Sequence, residues 1–189
     1  MFFSKIGNSY IEEDQGEVSV LFCDIVDFDS IMEKEPKIVD FLDNVYRSFD
    51  SFCELNGVQK IETVGKTYMA CSGLRACEVA LSRQLGDIDQ TERAIYLAND
   101  IKNYVSQKSL SGGSKMTLKI GIHYGRVIAG VIGYHKPQFS LIGDTINTAS
   151  RVCSTASSNY ITISETAFER VKKNNLFCFQ EKIVEVILD

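Results

Sequence analysis

The fold class this sequence predicts is α+β, a mixed sheet covered on one face by helices. Short apolar runs of strand composition alternate with long stretches whose apolar residues recur at helical spacing, and a tight hairpin sits in the first half of the chain. The resulting order, β-α-α-β-β-α-β-β-α-β-α-β, contains the split βαβ arrangement of a ferredoxin-like unit.

Glu17–Cys23, EVSVLFC, reads as a central strand because Val20, Leu21 and Phe22 leave it no polar face. It stops at Asp24, and the following Ile25-Val26-Asp27-Phe28-Asp29-Ser30 turns toward a helix. Pro36 suits the first turn of a second helix, in which Ile38, Phe41, Leu42, Val45, Tyr46, Phe49, Phe52 and Cys53 form one buried stripe. Asn56-Gly57 supplies its left-handed cap. Val58–Leu74 then gives two short strands joined at Thr63–Lys66, with Gly65 at the bend. Asp89–Gln107 is a second long helix, presenting Ile95, Leu97, Ala98, Ile101, Tyr104 and Val105 to the sheet. Lys115–His123 and Arg126–Gly133 read as strands around a turn at Tyr124-Gly125, and Asp144 as the cap of a helix through Val152. Tyr160–Ile163 is a further strand, Ser164–Lys173 a short helix with Ser164 at its N-cap, and Phe177–Leu188 a last strand-like segment.

The 189 residues, 44% of them hydrophobic, suffice for one domain with a substantial core, so residues 1–189 are read as a single domain. A net charge of −5 without any Lys/Arg cluster argues against a nucleic-acid surface, and a polyanion must be held by a few placed groups. Six cysteines lack any C-x-x-C pair and only two histidines are present, which favours free thiols in a reduced, intracellular setting over a zinc site. Nowhere do 18 apolar residues run together, and Met1-Phe2-Phe3-Ser4-Lys5 is too short for a signal peptide.

Five motifs occur in order: LFCDIVDF at Leu21–Phe28, KIETVGKTYM at Lys60–Met69, GIHYGRVIAGVIG at Gly121–Gly133, KPQFSLIGDTINTASR at Lys136–Arg151 and ITISETAFE at Ile161–Glu169. Together they resemble the class III nucleotidyl cyclase catalytic domain, over roughly residues 17–186. The resemblance implies a ferredoxin-like class III cyclase sandwich and a reaction in which the ribose 3′-oxygen of a nucleoside triphosphate attacks its own α-phosphorus, releasing pyrophosphate. It further implies two Mg²⁺ or Mn²⁺ ions and a dimer interface at which one half gives metal-binding aspartates and the other gives base-reading and transition-state residues.

By that resemblance Asp24 is the first metal ligand, with the carbonyl of Ile25 beside it; on its own, Asp24 would be read as a turn cap. Lys66 stands where most catalytic halves carry the second aspartate. An ammonium there repels a cation and is expected to pair with Asp24 instead. Asp27 and Asp29 replace the small Gly and Thr of the phosphate loop, and Arg126 matches an arginine that contacts the terminal phosphates. Asn147 and Arg151, four apart on one helix, share a face. Ordinarily such a pair is only a polar surface; the resemblance makes Asn147 the ribose-orienting group and Arg151 the group that neutralises charge on the α-phosphate. Glu62 stands at the base-reading position, where a carboxylate accepts from guanine N1–H and N2–H₂, while adenine would call for a lysine. Ser140 is the second base-reading position and discriminates less. After Glu185-Val186 the family's K-G-K-G and last strand do not follow.

These residues predict one half of a heterodimeric or pseudo-heterodimeric guanylyl cyclase that takes GTP, with the two ions held mainly by a second cyclase domain, on the same polypeptide or another. CDIVDFD combined with GKTYMA is similar to the second cyclase domain of large membrane cyclases of ciliates and related protists, which implies a cytoplasmic domain of a larger membrane protein. A homodimer of the isolated chain is expected to be inactive or very weak. The alternatives are an adenylyl cyclase half, disfavoured by Glu62, and a catalytically silent domain that dimerises with or regulates a cyclase.

Overall fold

The computed structural model describes residues 12–75, 77–78, 88–110, 113 and 115–181. Its sheet is built on β1 (Glu12–Ile25), flanked by β3 (Thr67–Ser72) and β4 (Leu118–Ile132), with β2 (Gln59–Val64) and β5 (Gln138–Ile142) outside them in the order β2-β3-β1-β4-β5. These neighbours are antiparallel, and β6 (Ile161–Ile163) joins β4 in parallel through Ile120↔Ile161 and Ile122↔Ile163. The sheet is therefore mixed, as the sequence predicts.

Alternation along β1 sorts the core. Leu21, Cys23 and Ile25 point to one face, where they meet Tyr68, Ala70, Ile120 and Ile122. That face is covered by α2 (Ile38–Asn56) through Val45, Phe49 and Cys53, by α3 (Gln90–Ser106) through Leu97, Ala98 and Ile101, and by α5 (Glu165–Val171) through Ala167 and Val171. α1 (Phe28–Lys34) is a short helix that buries Ile31 at the rim of this core. Each fully buried large side chain of this kind contributes about 1.5–3 kcal/mol.

Val18, Val20, Met69, Cys71, Val127, Ala129 and Leu141 point to the opposite face. One-sided coverage is the expectation the structure corrects: α4 (Asp144–Ser154) lies on this second face, burying Ala149 there. The contact is backbone-close. A Cβ at Gly121 would stand 2.2 Å from Cys153 N, so glycine is what lets α4 settle onto β4.

Two further boundaries differ from the sequence reading. β4 is one continuous strand across Tyr124-Gly125, where a turn was expected, and Gly125 serves instead to admit Thr145, whose Oγ1 would be 2.6 Å from a Cβ. The partner strand is β5, and the N-cap of α4 is Gly143 at φ 144°, with Asp144 the first helical residue. Ser164 caps α5 as predicted, accepting from Ala167 N, and Gly57 ends α2 at φ 63°. Residues 177–181 form no strand, and the rest of the predicted last segment lies outside the described residues.

Candidate active site

α4 places its two candidates by periodicity. Thr145, Ala149 and Cys153 form the stripe against the sheet, and Asn147 and Arg151 project from the opposite side, both exposed. No side-chain hydrogen bond or ion pair engages Asn147 or Arg151 among the described residues, so an amide and a guanidinium stand free on a rigidly seated helix. A guanidinium so held is suited to forked contact with phosphate oxygens.

Glu62 lies on β2 just past an irregularity: Lys60 pairs with Ala70 but Glu62 with Met69, so two residues of β2 oppose one step of β3. Its Oε2 accepts from Gln138 Nε2 at 3.0 Å. β2 and β5 are the two ends of the strand order, so this bond spans a sheet curled until its edges meet. Ser140, two residues beyond Gln138 and paired with Gly130, shares the side of β5 that carries Gln138. The structure thus brings Glu62 and the strand of Ser140 to one place and adds Gln138, which the sequence reading missed. Its i, i+2 relation to Ser140 within K-P-Q-F-S was the available signal.

A separate cavity of about 550 Å³ is lined by Asp24, Ile25, Asp27, Asp29 and Lys66. Asp24 Oδ1 accepts from Thr67 Oγ1 at 2.7 Å, and no Asp24–Lys66 ion pair forms, contrary to the expected pairing. Lys66 instead uses its carbonyl, which accepts from Ile25 N at 3.0 Å. Lys119, opposite Asp24 in the β1–β4 register, lines the same cavity and donates to Ser154 O at 3.2 Å. Sequence alone gave no sign of it, because only the register brings it there. These residues do not fit a two-cation site: two ammonium groups line the cavity, and no three His, Cys, Asp or Glu side chains converge to hold a metal among the described residues.

Asp27 at the mouth of this cavity adopts φ 53°, ψ 35°, a left-handed conformation that favours glycine. Its side chain makes no capping bond. Asp27→Gly should therefore stabilise the fold by about 0.5–1 kcal/mol, a rise in midpoint of about 1–4 °C by thermal denaturation.

Arg126 stands apart. It lies seven residues beyond Lys119 on β4, about 24 Å along the strand, on the face opposite α4. There it pairs with Asp14, whose carboxyl the guanidinium and the Gly16 amide draw down to about 2. The single chain therefore does not bring the Arg126 guanidinium to the Asp24 cavity, while the Arg126 carbonyl accepts from Thr145 Oγ1 of α4 at 2.6 Å. A larger cavity of about 930 Å³, between α3, β6 and residues 176–181, contains none of the candidates.

Known proteins share both sequence and shape with this arrangement. The family described as "Adenylate and Guanylate cyclase catalytic domain" matches residues 10–187. Guanylate cyclase beta of Plasmodium falciparum is 35% identical over 95% of this chain, and the guanylate cyclase of Toxoplasma gondii 31% identical over 96%; the chain spans only 6% of the length of each. "Guanylyl cyclase, membrane" of Dictyostelium discoideum is 31% identical over 92% of the chain and 11% of its own length. Among solved structures, the guanylate cyclase domain from Catenaria anguillulae in complex with GTP superposes with TM-score 0.74 at 29% identity, covering 85% of each chain. The catalytic core of a rhodopsin-guanylyl cyclase with converted specificity, in complex with ATPαS, does so with TM-score 0.79 at 28% identity over 93% of this chain and 91% of that one. With its five motifs carried on the predicted mixed sheet, the chain belongs to the class III adenylate and guanylate cyclase catalytic domain family.

Proposed function

We propose that this chain is one half of a two-domain guanylyl cyclase that converts GTP to cyclic GMP and pyrophosphate. It supplies Glu62 and Ser140 to the base and Asn147 and Arg151 to the ribose and α-phosphate, and a second cyclase domain supplies the carboxylates that hold Mg²⁺ or Mn²⁺. The observation that carries this reading is the asymmetry between the two clusters. Asn147 and Arg151 stand free on a helix seated against β4 and β1 and touching β5, the strand of Ser140 that Glu62 meets through Gln138, whereas the Asp24 cavity carries Lys66 where a second carboxylate is needed. In the reaction the 3′-oxygen forms a bond to the α-phosphorus as the bond to the bridging oxygen of pyrophosphate breaks. Arg151 offsets charge on the α-phosphoryl oxygens, and Asn147 fixes the ribose. The much greater length of the relatives supports a domain within a larger polypeptide, cytoplasmic and tethered to a membrane through its other parts. Among the described residues no helix is long and apolar enough to cross a membrane.

The base pocket is tested by exchange. Glu62→Lys with Ser140→Asp, in an assembly with a metal-bearing cyclase domain, should shift the ratio of GTP to ATP turnover toward ATP by about ten- to a hundredfold. A mismatched buried donor or acceptor costs about 1–3 kcal/mol. Equal use of GTP and ATP by the unaltered assembly would remove Glu62 from base reading.

A further inference from the structure

We infer that Asp50 of α2 is a positioning residue for Glu62, fixing the bulge in β2 that turns Glu62 into the base site; the inference rests on the base-reading role proposed above. Without the extra residue between Lys60 and Glu62, the period of two along a strand would send both side chains to the α2 face. With it, Lys60 keeps that face, Ile61 packs among the residues of the opposite face, and Glu62 reaches Gln138 across the curled sheet.

What pins the bulge is a single carboxylate. Asp50 Oδ2 accepts from Lys60 Nζ at 2.9 Å and its Oδ1 from the hydroxyl of Tyr68 at 2.8 Å, so Asp50 grips β2 and β3 at once. The Lys60 ammonium lies 5.4 Å from the centroid of the Tyr68 ring. Tyr68 is wholly buried and stacks on Tyr46, whose hydroxyl donates to Gly65 O at 2.8 Å in the hairpin bend. Glu62 therefore sits between two points of β2 and its turn that α2 holds, and its own carboxylate is bonded to Gln138. Releasing Lys60 frees the bulge to migrate, and a one-residue migration withdraws Glu62 from Gln138.

The test reads the side-chain amide resonance of Gln138 in the isotope-labelled chain, assigned by its disappearance in Gln138→Ala. Asp50→Asn and Lys60→Met should each shift that resonance to the position it takes in Glu62→Gln, with the backbone resonances of α3 and α5 unmoved. If Asp50→Asn unfolds the chain, Lys60→Met, which breaks the same pair at a partly exposed side chain, carries the comparison. Folded variants in which the Gln138 amide stays in place overturn the inference. In an assembly with a second cyclase domain, Asp50→Asn should lower the GTP to ATP turnover ratio about tenfold, and combined with Glu62→Gln it should add no further loss. A shifted amide with an unchanged ratio in both Asp50→Asn and Glu62→Gln would refute base reading and leave the positioning role standing. A changed ratio in Glu62→Gln, with neither amide nor ratio altered in Asp50→Asn, would refute the positioning role alone.

Discussion

Arg151→Ala is expected to lower kcat of an assembled enzyme by about 10²–10³-fold while KM for GTP changes by less than about threefold. Arg151 is exposed, four residues from Asn147, and engaged by no side-chain hydrogen bond or ion pair among the described residues, so its removal leaves the fold of α4 untouched. In the proposed role it acts on charge that develops at the α-phosphate, and an interaction made chiefly in the transition state appears in kcat. Losing one such donor is worth about 3–4 kcal/mol. Asn147→Ala should follow the same pattern with a smaller loss, since the role proposed for it is to orient the ribose and it carries no charge. Steady-state kinetics with GTP separate the two constants, and unchanged kcat in both variants would return this face of α4 to ordinary polar surface.

The second large effect concerns the metal half. A homodimer would pair the base-reading half of one copy with the Asp24 cavity of the other, and that cavity presents Lys66 and Lys119 beside its carboxylates. Exchanging a −1 ligand for a +1 group changes the local charge by two units. Each unit is worth about 4 kcal/mol at ~4 Å and an effective dielectric of ~20, less where solvent screens it. Lys66→Asp should therefore create Mn²⁺ binding measurable by calorimetry, with affinity raised by at least about tenfold over the parent. A variant that binds no more Mn²⁺ than the parent would show that Lys66 is not the obstacle.

Much of the candidate residues' placement was legible because it is local. The Asn147/Arg151 pair needs only helical spacing, and the hairpin needs only strand composition around Gly65, which takes φ 56° in the bend. What stayed hidden depends on distant chain. Gly125 reads as a turn residue, yet its lack of a side chain serves Thr145 from another element, and β4 runs straight through it. Lys119 enters the Asp24 cavity by the β1–β4 register, and Gln138 meets Glu62 only because the two sheet edges curl together. The bulge before Glu62 has no glycine to announce it, being held from outside by Asp50. Asp24 illustrates the same limit: charge alone suggested Lys66 as its partner, and the adjacent Thr67 hydroxyl takes that place.

Cyclic GMP production, measured for the purified chain and then for the chain titrated with a cyclase domain carrying both metal-binding aspartates, tests the half-site claim most directly. With abundant Mg²⁺ or Mn²⁺, the chain alone should give no rate above background at any concentration. Activity should appear on addition of the second domain and saturate at a one-to-one ratio. A robust rate from the chain alone, rising in proportion to its own dimer content, would contradict the account.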